Sequence, residues 1–215
     1  MTTYDFNDGN GPVPAHQHSN GGGWVADTAT VDEKAFVGPD AQVSGDALVT
    51  GDARVSGKAR VYGKAQVSDK AQVSGNALVT GKALVAGNAV VSGNAEVYGN
   101  AEVYGNAQVY GNAQVSDNAR VFGNVIVSGD ALVYGYARVY GNALVFKTPV
   151  RVSRSDGYDF ILVPCSDGKD RIIAGCRYFT LEEAYNFWNK EHPKHKETIV
   201  ILESLKKLYE MQKSS

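Results

Sequence analysis

Three groups of residues in this 215-residue chain have types and spacings that could do chemistry. His16 and His18 form an H-x-H pair that would place two imidazoles on one side of an extended segment, the beginning of a metal site. No third ligand can be named, so the sequence assigns no metal residue and calls for no cofactor. Cys176 beside Arg177 has the makings of an activated thiol, with His192 or His195 as its base if the chain folds them back. The competing expectation is a small buried residue that ends a strand, and the sequence favours it. Glu96, Glu102, Asp69 and Asp117 could act as bases on an outer surface. The simpler expectation is solvated charge, with Glu102 paired to Arg120. No catalytic residue is assigned.

What must position these groups is a repeat. From Val25 to Val145 the chain reads as one six-residue phrase, V-x-G-N-A-x, without an insertion; Val97-Tyr98-Gly99-Asn100-Ala101-Glu102 is a representative unit. Within it, Ala-x-Val alternates as a short strand with Ala and Val on one face. The x-Gly-Asn that follows is turn chemistry, because Gly and Asn tolerate positive φ. Strand and corner at a period of six predict a parallel β-helix. Asp69 and Asp117 replace the Gly of their units, Val125 replaces Ala and Tyr136 replaces Asn.

On these residues the chain resembles the hexapeptide-repeat family of left-handed parallel β-helices. The resemblance implies three units per coil, a triangular prism of about seven coils, and the left hand. The enzymes of that family are acyltransferases with a His base, or carbonic anhydrases with a metal held by three His, at sites between subunits of a trimer. Residues 25 to 146 contain no His, so both chemistries lose their central residue. Taken whole, with the opening from Asp5 to His16 and the tail, the chain also resembles bacterial and prophage proteins with hexapeptide repeats. That implies a phage context and no activity.

An eighteen-residue coil makes further expectations. Asp40, Asp46 and Asp52 would face Lys58, Lys64 and Lys70 one coil on, as rings of opposite charge. Asn88, Asn106, Asn124 and Asn142 would share one corner, and Asn76, Asn94 and Asn112 another, as hydrogen-bonded ladders. Tyr104, Phe122 and Tyr140 would stack on one side, a candidate partner surface. Of the three walls, the one carrying Phe36, Val90, Ile126 and Leu144 is the most apolar, and these four are the interface candidates for a homotrimer.

The ends differ from the repeat. Residues 1 to 24 are rich in Gly, Pro and Asn and read as a loop, with Phe6 and Trp24 as a lid over the open end of the prism. At Lys147-Thr148-Pro149 the composition changes. Residues 147 to 215 read as a small α+β unit of three antiparallel strands and two helices, able to cap the far end or dock a partner. Thr180 and Glu183 form a capping box for the first helix; the second is expected near Glu197 to Met211.

The net charge of -2 gives no pull toward nucleic acid, and no apolar run is long enough to span a bilayer. Two cysteines and an opening without the features of a signal peptide point to the cytoplasm, with a virion as the alternative. The function expected is a non-catalytic, rigid, trimeric scaffold that engages a protein or small-molecule partner, with a phage accessory role as what the resemblance implies. An acyltransferase-like enzyme working at intersubunit clefts, or a virion structural component, are the alternatives.

Overall fold

The computed structural model describes residues 2–189 and 191–213. Every repeat unit forms one two- to four-residue strand, and each strand pairs in parallel with the strand eighteen residues away: Gln66 with Leu48 and Leu84, Gln72 with Arg54 and Val90, Leu78 with Arg60 and Glu96. Three parallel sheets result. The first wall runs from Trp24–Ala26 to Leu132–Val133, the second from Thr30–Val31 to Arg138–Val139, and the third from Phe36–Val37 to Leu144–Val145. This is a β-solenoid of about seven three-sided turns.

The interior is made of the two residue types that the repeat fixes. Ala and Val of successive units are almost all fully buried from Ala35 to Val145, in one continuous cluster. Each buried Val contributes about 1.5 to 3 kcal/mol against the entropy of ordering its unit. The backbone is satisfied coil to coil: Gln66 N donates to Ala83 O (2.8 Å), Ser68 N to Val85 O (3.0 Å) and Lys70 N to Gly87 O (2.9 Å). A two-residue strand could not persist alone; three bonds per unit to each neighbouring coil hold it.

At the corners the division of labour differs from the expectation. Gly takes the positive φ, as at Gly57 (61°), while no Asn of the repeat does. The Asn side chains serve the ladders instead. Asp69 (62°) and Asp117 (58°) occupy the Gly position with positive φ, and each uses a carboxylate oxygen to accept the N–H of the Gly one coil on, Gly87 and Gly135, at 2.9 Å. That bond offsets the conformational strain. The first coil has Asp27, Glu33 and Pro39 at this position, none with positive φ. Its corners close with short bonds of Ala29, Ala35 and Ala41 N–H to the carbonyl three residues back (2.9–3.0 Å).

Both ends are covered. The N-terminal segment is not simply a loop: Thr3–Tyr4 and Val13–Gln17 form an antiparallel pair, and Val13–Gln17 pairs antiparallel with Trp24–Ala26, extending the first wall. Ala15 faces inward from the middle of that strand, and its alternation was too short to register as a period. Phe6 is buried against Ala15 and Ala26, and Tyr4 stacks on Trp24 at 4.5 Å. Asn20 donates to the carbonyls of Lys34 and Ala35 over the open coil.

At the other end lie four antiparallel strands rather than three: Val150–Ser153, Asp159–Val163, Arg171–Ala174 and Arg177–Thr180. The fourth follows a tight turn at Gly175-Cys176. Its two central strands are buried on both faces, alternate residues facing opposite ways. Ile161, Val163 and Ile173 join the solenoid interior, whereas Phe160, Leu162, Ile172 and Ala174 pack beneath the helices with Trp188, Leu202 and Leu205. Those helices are α1 (Leu181–Phe187), with the Thr180/Glu183 capping box in place, and α2 (His195–Lys213). A β-bridge between Ala143 and Cys165 and a bond from Leu144 N to Pro164 O (2.8 Å) stitch this cap to the last coil.

Val97 is fully buried in this interior. Val97→Ala removes about two methylene equivalents and should cost about 2 kcal/mol. Val97→Asp buries an unpaired carboxylate and should abolish cooperative melting followed by far-ultraviolet circular dichroism. A cooperative transition in Val97→Asp at the wild-type temperature would show that this face does not carry the fold.

Candidate functional site

Part of the solenoid's outward polar surface bonds from coil to coil. One corner carries Asn88, Asn106, Asn124 and Asn142, the first three amides each donating to the side-chain carbonyl one coil on at 3.0–3.1 Å. Another carries Asn76, Asn94 and Asn112 at 3.0 Å, and ends on Asp130 (2.9 Å). The third holds an unexpected pair, Asn100 and Asn118. Glu102 and Arg120 form an ion pair at 3.0 Å. The expected rings of charge do not close: among the described residues, no ion pair joins Asp40, Asp46 or Asp52 to Lys58, Lys64 or Lys70. Exposed ammonium groups gain little from such pairs and lose side-chain freedom by making them.

Tyr104, Phe122 and Tyr140 stack with centroids 5.0 and 5.1 Å apart. The column continues onto Tyr178 of the cap at 5.5 Å, a residue that sequence reasoning left outside it because only the fourth cap strand brings it there. Hydrogen bonds tie this junction together. Tyr140 donates to Arg177 O at 2.6 Å, and the Tyr178 hydroxyl lies 2.8 Å from Cys165 Sγ and accepts from Asn142 N at 3.2 Å. Burial is the main reason that both phenols are pushed up to about 12; for Tyr178 the Cys165 hydrogen bond adds to it.

His16 and His18 do not face one another. His16 Nδ1 lies 2.8 Å from Asp27 Oδ1 on the surface, whereas the His18 ring is buried with Nε2 2.9 Å from Ala35 O, over the first coil. Among the described residues, no group of three His, Cys, Asp or Glu converges as a metal site would require. Cys176 is exposed, not buried: Gly175 supplies a positive φ of 58° and the turn throws Cys176 outward. His192 and His195 are occupied elsewhere, His192 Nδ1 accepting from Lys194 N and His195 Nδ1 lying 2.8 Å from Trp188 O. The buried thiol is Cys165.

Phe36, Val90, Ile126 and Leu144 stand in one column of the third wall, half-buried, with the Arg54 guanidinium over the Phe36 ring at 4.5 Å. That column ends at a cavity of about 220 Å³ between the last coil and α2, lined by Leu144, Phe146, Val163, Pro164 and Tyr209 among others. Its two lysines are engaged: Lys147 donates to Gln212 O and Lys213 pairs with Asp170. A second opening lies at the edge between the first and second walls, around Tyr98, Ser116, Asp117 and Tyr134.

Three parallel sheets in an eighteen-residue register, with an Ala/Val interior and Gly corners, define a repeat β-solenoid protein. The family model described as the YdcK Beta solenoid repeat matches residues 41–57, 53–69, 71–87 and 113–129, all of them within the walls. No curated protein and no solved structure matches the chain significantly. Among the described residues no helix is long and apolar enough to cross a membrane.

Two outcomes follow from the outer ladders and the junction. Asn106→Ala removes two rungs on an exposed corner and should lower stability by about 1 kcal/mol in urea unfolding. For the phenols the folded pKa lies above the ordinary value of 10, so their stabilisation is complete below about pH 10 and is lost as pH rises through 12. Unfolding free energies measured across that window should fall less steeply in the Tyr140→Phe/Tyr178→Phe double variant than in the wild type.

Proposed function

We propose that this β-solenoid is a non-catalytic scaffold that assembles into a trimer through its third wall and presents its remaining surfaces to a protein or small-molecule partner. The observation that carries this reading is the third-wall column in which Phe36, Val90, Ile126 and Leu144 stand with Arg54, Gln72 and Gln108 between them on a flat parallel sheet. Half-exposed apolar side chains aligned along a rigid wall favour self-association, and a closed threefold arrangement leaves no wall of this kind open for further growth. The capped ends support it as well, because lateral contacts between walls are then the remaining route to assembly. The aromatic column of Tyr104, Phe122 and Tyr140, on the edge after the second wall, is the partner surface under this reading. A phage accessory role rests on the sequence resemblance alone.

Light scattering on a sizing column tests the assembly. A mass near three times 23.0 kDa is expected, falling to 23.0 kDa in Ile126→Glu with the circular dichroism spectrum unchanged. A wild-type mass of 23.0 kDa would overturn the trimer.

A further inference from the structure

The outward position directly after each Val forms a column along each edge of the prism. On the edge after the second wall, three successive coils place Tyr104, Phe122 and Tyr140 there, and the rings fill the column at one ring per coil. On the edge after the first wall the column alternates instead: Tyr62, Thr80, Tyr98, Ser116, Tyr134. Tyrosines two coils apart are about 9.6 Å from one another at the backbone, twice the strand spacing. Where Ser116 stands between Tyr98 and Tyr134, room for one ring remains, and the space there is about 330 Å³, lined by Tyr98, Gln114, Ser116, Asp117, Leu132 and Tyr134.

The polar groups on this slot are more than structural filler. Ser116 is only 6 % exposed and lines the slot. Gln114 Oε1 accepts from the Tyr98 hydroxyl at 3.2 Å, which fixes that ring and leaves the amide donors of Gln114 free of any partner among the described residues. Asp117 spends Oδ2 on Gly135 N, while Oδ1 accepts nothing there. Arg151 of the cap lies over the Tyr134 ring at 5.8 Å and holds it from the side of the cap.

Other positions of the solenoid act as controls. Thr80 between Tyr62 and Tyr98, and Ser128 between Tyr110 and Phe146, have the same alternation of small and aromatic residues, but the residue that follows each is Gly81 or Gly129. Asp69 has the same strained backbone as Asp117 and makes the same bond one coil on, but Ser68 before it is flanked in the post-Val column by Thr50 and Ala86, not by aromatic rings. Among the described residues, only at Ser116 do two aromatic rings, a small buried residue and a carboxylate with a spare oxygen meet.

We propose that this slot binds a hexopyranose ring of a neutral carbohydrate. A pyranose carries C–H faces that lie against aromatic rings and equatorial hydroxyls that donate to a carboxylate and accept from an amide, and its thickness suits the room left by one absent ring. The site lies on the edge between the first and second walls, away from the third, so it does not depend on the state of assembly.

The test uses the full chain and saturation-transfer NMR with the methyl pyranosides of glucose, galactose, mannose and N-acetylglucosamine, and with choline as a cationic comparison. At least one pyranoside should receive transfer at its ring protons. Asp117→Gly restores the residue found elsewhere in the column, so its melting should stay unchanged while the pyranoside binds about tenfold more weakly, the loss of one charge-assisted hydrogen bond. Tyr134→Ala, on an exposed position, should weaken binding as much or more. Transfer to none of the pyranosides, transfer to choline alone, or binding that Asp117→Gly and Tyr134→Ala leave unaltered would each overturn the assignment.

Discussion

The corners of successive coils approach one another too closely for an ordinary side chain, and the rest of the molecule depends on it. A Cβ built on Gly57 would lie 2.9 Å from both the N and the O of Gly75, and the same contact recurs at Gly75 against Gly93 and Gly81 against Gly99. At that spacing the corner admits Gly almost alone, both for the positive φ and for the room. Close corners in turn let Lys58, Lys64 and Asn76 donate their N–H at 2.7 Å to the carbonyl of the corner glycine one coil on. The strands are too short to hold a register by themselves; the corners hold it for them, and the ladders of Asn and aromatic side chains inherit it.

The same constraint explains what happens at the ends. A stack of coils has an unpaired edge and an exposed interior wherever it stops, and each terminus deals with both. The N-terminal strands pair against the first wall and bring Phe6 over it, with Asn20 and His18 binding carbonyls of the first coil. The C-terminal sheet contributes Ile161, Val163 and Ile173 to the solenoid core, so the prism and its cap are one hydrophobic unit on that side. Cys165 and Tyr178 sit at the seam, which is why the phenols there are shielded from water.

What the sequence made legible was whatever repeats. A period of six gave the strand and the corner, and a period of eighteen in residues not used to find it placed the Asn and aromatic columns and the Glu102–Arg120 pair. Features that occur once escaped it. The Val13–Gln17 strand has Pro14 and no periodicity, the fourth cap strand follows a turn that pushes Cys176 to the surface, and the first-coil corners use a different backbone at Asp27, Glu33 and Pro39. The charge rings failed for another reason: alignment in a column is a backbone property, but whether Lys58 reaches Asp40 is decided by solvation, which no spacing encodes. At the Ser116 slot Asp117 stands out in the repeat as a departure from Gly, while the meaning of that departure required the two flanking tyrosines to be seen in space.

The eighteen-residue register also makes the molecule behave like a ratchet with three teeth. Insertion or loss of a whole coil would lengthen or shorten the prism and return every later residue to the wall it came from, with cap and leading strands in the same relative orientation. A change of six or twelve residues would keep the interior intact and turn everything beyond it by one wall, so that the cap and α2 would face a different side from the N-terminal strands. Duplication of coils can therefore adjust the distance between the two ends without disturbing either, whereas a single added unit re-aims one end against the other.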